Sequence, residues 1–77
     1  MDRKSWAARN ALKEATRARY DKLVDEAKLT PLQEEMLRLH IALGEPIREV
    51  ALITHCSEAT VKRHLHNAYR RVALLLN

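Results

Sequence analysis

The stretch Pro-Ile-Arg-Glu-Val-Ala-Leu-Ile-Thr-His-Cys-Ser-Glu-Ala-Thr-Val-Lys-Arg-His-Leu-His-Asn-Ala-Tyr-Arg-Arg-Val-Ala-Leu-Leu-Leu-Asn, residues 46–77, reads as a short helix, a tight turn and a longer basic helix. Ser57 is a natural N-cap for the second helix, because its hydroxyl can accept from an otherwise unpaired N–H of the first turn. Glu58, just inside, puts a negative charge where the helix dipole favours one. From there the apolar positions are Val61, Leu65, Ala68, Tyr69, Val72 and Leu75, one face of a 3.6-residue helix. The opposite face carries Ala59, Lys62, Arg63, His66 and Arg70, with Asn67 near its margin. Ala59 and Thr60 are small enough to let the backbone approach another surface. A buried stripe on one side with cations and hydrogen-bond donors on the other is what a helix reading the major groove needs. Periodicity alone fits a solvated basic face on a bundle helix equally well.

Resemblance separates the two. Glu-Val-Ala (49–51), Cys-Ser-Glu-Ala-Thr-Val-Lys-Arg-His-Leu (56–65) and Ala-Tyr-Arg-Arg-Val (68–72) resemble the helix-turn-helix of bacterial sigma-factor region 4. They also resemble the related domain of LuxR-type response regulators. Leu-Thr-Pro-Leu-Gln-Glu (29–34) and Met-Leu-Arg-Leu (36–39) are similar to the opening scaffold helix of that domain, so the likeness covers about residues 29–76. It implies a DNA-binding domain whose first motif helix lies over the DNA backbone, with Arg48 a phosphate contact. A surface pairing of Arg48 with Glu45 or Glu49 is the competing reading. Two residues depart from the pattern. His55 stands where the family places a turn glycine, a position needing positive φ that His tolerates better than most residues. Thr54 replaces an inward leucine.

Composition agrees with an all-α fold. Seventy-seven residues allow one small domain, and one Gly and two Pro leave little punctuation beyond a few helices with short connections. We expect a small bundle of about four helices, with an N-terminal helical arm over 1–28 and the helix-turn-helix domain over 29–77. Phe is absent, so the core is expected to be aliphatic. The net charge of +4 is unevenly spread: +3 over residues 1–28, −2 over 29–56 and +3 over 57–77. An acidic scaffold thus lies between two basic ends, which suits a polyanionic partner. A lone cysteine, Cys56, fits a reducing cytoplasm. No signal peptide is visible, and Leu74–Leu76 is too short to span a membrane.

Residues 2–27 read as one long, weakly amphipathic helix with six alanines, expected to pack across the domain as a support. Trp6 could pin this arm, whose first turns are expected to be frayed, to the body or to a partner. The cations Arg3, Lys4, Arg9, Lys13, Arg17, Arg19 and Lys22 would face solvent, or track phosphates or an acidic protein surface. Thr30, Pro31 and Gln33 form an N-cap, first-turn proline and capping box, so a helix starts there and runs to Gly44, its C′ residue. His40 sits among its apolar positions as a hydrogen-bonded core or boundary residue. After Pro46, the residues Ile47, Val50, Ala51 and Ile53 are expected to face inward.

No enzyme and no cofactor is expected. His55, Cys56, His64 and His66 lack the paired spacings of a zinc site, and His64 and His66 point in different directions on one helix. Cys56 has no orienting group or oxyanion site to make it a nucleophile. The sequence therefore predicts a small transcription regulator that binds double-stranded DNA through the helix at 57–76. Lys62, Arg63 and His66 would reach base edges or nearby phosphates and Glu58 a cytosine amino group, with Thr60, Arg70 and Arg71 as backbone contacts. A homodimer through Val72, Leu74, Leu75 and Leu76 is one option for its symmetry. Two alternatives remain open: a module that binds RNA polymerase or another regulator, and the DNA-recognition subunit of a phage packaging machine.

Overall fold

The computed structural model describes residues 2–76. Among them the chain forms five α-helices and no strand: α1 (Arg3–Glu14), α2 (Arg17–Ala27), α3 (Pro31–Leu37), α4 (Ile47–Thr54) and α5 (Glu58–Ala73). α3 passes into a single π-helical segment, Arg38–Ala42.

The long N-terminal helix read from the sequence is in fact two. Ala15 and Thr16 are extended (ψ 146° and 163°), and the Thr16 hydroxyl caps α2 by accepting from the Arg19 N–H at 3.2 Å. A β-branched hydroxyl residue competes with the backbone ladder at this point. Breaking there lets both halves bury their thin stripes separately, α1 through Ser5, Ala8 and Leu12, and α2 through Leu23 and Ala27. α1 runs back along α5, its first turn beside Ala73 and Leu74 and its Arg9 beside His66 and Lys62. Trp6 does not pin this helix to the body, being 58% exposed. Its start is held instead by the Asp2 carboxylate, which accepts from the Ser5 N–H at 2.8 Å.

α3 opens on the complete capping box: Gln33 N–H donates to Thr30 Oγ1 (3.2 Å) and Thr30 N–H to Gln33 Oε1 (3.0 Å). Its far end widens to the π-turn and reverses through Gly44 at φ +72°, with His40 Nδ1 2.7 Å from the Glu45 carbonyl oxygen. The core is aliphatic apart from Tyr69, and Leu23, Met36, Leu37, Val50, Val61 and Val72 are among its most completely buried side chains. α5 lies through its centre, packed against each of the other α-helices.

α4, the turn and α5 form the helix-turn-helix. Ala51 is buried between the two helices. Ile53 is not inward as expected but 49% exposed. The inward register of α4 is 47, 50, 51 and 54, so the last inward position belongs to Thr54, whose hydroxyl donates to the Val50 carbonyl at 2.7 Å. A polar residue in that place satisfies itself within its own helix. His55 takes the left-handed conformation (φ 57°) and its N–H donates to α4 carbonyls, while the Cys56 N–H reaches the Ala51 carbonyl at 3.0 Å. This is the Schellman closure normally served by glycine.

Candidate nucleic-acid interface

The reading helix starts at a built cap. Ser57 Oγ accepts from the Thr60 N–H at 3.1 Å and donates to Thr60 Oγ1 at 2.9 Å. The Thr60 hydroxyl is therefore engaged in the cap, and the residue is half-buried. Beyond it, Ala59, Lys62, Arg63, Asn67 and Arg70 are exposed along the side of α5 opposite Val61, Leu65, Ala68 and Val72. Glu58 is exposed in the first turn. His66 is half-buried at the edge that meets α1.

Two expected contacts are arranged differently. Arg71 turns away from this face, and its Nε donates to the Ala27 carbonyl at 2.7 Å. It thereby covers a free carbonyl at the C-terminus of α2, where a cation is favoured by the dipole. Of the apolar C-terminal residues, Val72 is buried and Leu75 half-buried, which leaves Leu74 and Leu76 exposed. Arg48 is exposed on α4. Among the described residues the ion pairs are Arg17–Asp21 (3.9 Å) and Arg38–Glu35 (2.7 Å), so neither Glu45 nor Glu49 pairs with Arg48. Lys62, Arg63 and Arg70 also form no ion pair there.

Asp2, at the N-cap of α1, lies close enough to α5 to feel the charges of His66 and Arg70. Its carboxyl is held below the ordinary aspartate value chiefly by accepting the Ser5 N–H, with smaller contributions from His66 and Arg70. Where α1 meets α5, beside the π-segment and the start of α4, lies a cleft of about 420 Å³ lined by Arg9, His40, Ile47, Lys62, Leu65, His66 and Tyr69. Sequence reasoning had Arg9 only as one cation among many on the arm. The signal for its position, four residues after Ser5 at the margin of the buried stripe, becomes legible only once α1 is known to fold back on α5. No cluster of three or more potential metal ligands occurs among the described residues, and none of their helices is long and apolar enough to cross a membrane.

A family model described as Sigma-70, region 4 matches residues 27–72, more than half of the chain. The chain belongs to the sigma-70 region 4 family. Region 4 domains are non-catalytic helix-turn-helix domains of transcription that bind DNA and RNA polymerase. No curated protein and no solved structure matches the chain. The region 4 match begins at Ala27, the last residue of α2, so α1 and nearly all of α2 lie outside it.

Proposed function

We propose that this region 4 protein binds double-stranded DNA sequence-specifically as a small transcription regulator, the N-terminal half of α5 entering the major groove. The observation that carries this reading is the face of α5 formed by Ala59, Lys62, Arg63, Asn67 and Arg70, exposed and free of ion pairs among the described residues. Small residues lead and cations follow, so the backbone can approach the base edges before the long side chains engage. Arg63 is the base reader, and Lys62, Arg70 and Arg48 are phosphate contacts that fix register. A dimer through Leu74 and Leu76 would read two half-sites about one helical turn apart.

The test is a duplex-binding titration over a range of salt concentrations. Binding that falls steeply with salt supports the reading. Arg63→Ala should weaken binding to a preferred sequence by ~1–3 kcal/mol and narrow the gap to other sequences. A loss equal on all sequences would make Arg63 a phosphate contact instead. A second reading, docking on RNA polymerase or another protein, is favoured by the exposed neighbours Leu52 and Ile53 on α4. That contact is apolar, and its affinity would change little with salt.

A further inference from the structure

We propose that Arg9 of α1, together with Lys62 and His66 of α5, seats a phosphate of the DNA backbone beside the reading face. This deepens, and rests on, the reading that α5 enters the duplex. The cleft between α1 and α5 measures about 420 Å³ and is bordered by Arg9, Lys62, His66, His40 and Tyr69, with no carboxylate among its lining residues. Two full positive charges therefore share a concave site with no counter-ion. The Asp2 carboxylate at the N-cap of α1 is committed to the Ser5 N–H. At the wall, the Tyr69 hydroxyl is buried and finds no hydrogen-bond partner among the described residues. Burial raises that phenol's pKa, and the Arg9 guanidinium opposes the rise by its charge and by approaching the phenol oxygen without completing a hydrogen bond. A guanidinium can only donate, so the phenol's own proton stays free. A protonated hydroxyl with its proton unused, beside a guanidinium and an ammonium, offers a phosphate oxygen a donor set that neutral side chains would not.

Position identifies the phosphate's source. Lys62 and His66 sit on the same turns of α5 as Arg63 and Asn67, one step around the helix toward α1. A backbone phosphate flanking the groove entered by Arg63 would thus meet the cleft, and α1 would act as a second wall gripping the strand. Arg9 lies outside the region 4 match, so this contact is one the chain adds to its family's domain.

The full chain is titrated over a salt series with two labelled duplexes, one carrying a preferred sequence and one of mixed sequence, comparing native protein, Arg9→Gln, Arg9→Lys and Arg63→Ala. Each phosphate contact contributes about 0.9 to the slope of log K against log salt. Arg9→Gln is expected to flatten the slope by about that amount and to weaken all duplexes alike, while Arg9→Lys keeps the slope. An unchanged slope in Arg9→Gln, with Arg63→Ala still weakened, overturns the phosphate seat and leaves the DNA reading standing. Absence of duplex binding by the native protein overturns both. Should Arg9→Gln unfold, the Arg9 side-chain Nε–Hε resonance of the native protein is followed instead. It shifts with duplex if the proposal holds, whereas a shift with inorganic phosphate and none with duplex makes the cleft a free-anion site and overturns it.

Discussion

His55 and Tyr20 show how single side chains set the stability on which the interface rests. His55 adopts φ 57° at the turn between α4 and α5, a conformation that costs an L-residue roughly 1–2 kcal/mol relative to glycine. His55→Gly removes that strain but adds unfolded-chain entropy of about half as much. A net gain of about 0.5–1 kcal/mol is expected in chemical denaturation, with duplex binding unchanged because His55 lies outside the reading face. Tyr20 ties stability to pH. Burial first, and then the neighbouring Asp21 charge, push its phenol up to about 12. The unfolded chain releases that proton near 10 and the folded protein holds it to about 12, so stability is full below 10 and falls as pH rises through this window. Tyr20→Phe should lessen the decline, read as melting temperature against pH between neutrality and 12. An equal decline in the variant would assign it to other groups, Tyr69 among them.

Among the elements, those with local signals were legible in the sequence. The starts of α3 and α5 are both marked within four residues, by Thr30-Pro31-x-Gln33 and by Ser57-Glu58, and both caps form as read. The cap of α5 orients the reading helix, and Ser57 satisfies a donor and binds the Thr60 hydroxyl together. Ser57→Ala should cost ~0.5–2 kcal/mol of stability. It should weaken duplex binding less than Arg63→Ala does; a stability loss near zero would mean the first turn is held by packing alone. The break at Ala15–Thr16 was not legible, since no Gly or Pro marks it and alanine-rich flanks favour continuity. It arises because a continuous rod of this length could not lay both stripes on the same small core. Ile53 was misplaced for a related reason: apolar character pointed it inward, whereas the register of α4 gave that place to Thr54. Arg71 reads as one more cation of a basic helix, and only the arrival of α2's C-terminus beside it reveals its role.

At the scale of the whole molecule, the region 4 match ends at one side of the core and the N-terminal helices complete it. Leu12 of α1 is buried among core residues although it lies outside the matched segment. Leu12→Ala should therefore destabilise the protein by about 2–5 kcal/mol, a large share of what a domain this size possesses. Thermal unfolding measures it, and a loss under 1 kcal/mol would make α1 a detachable arm. The exposed cationic side of α5 was legible from periodicity alone, because a helix with one buried stripe has only one opposite face. The cleft beside it was not, since it joins residues more than fifty apart in the chain through a fold-back that nothing local encodes. The most direct test of DNA reading by α5 is selection of bound sequences from a random duplex pool at near-physiological salt, with native protein and Arg63→Ala in parallel. Expected is a recovered motif for the native protein that blurs at one or two positions in Arg63→Ala. No enrichment by the native protein, or an identical motif from both, would contradict it.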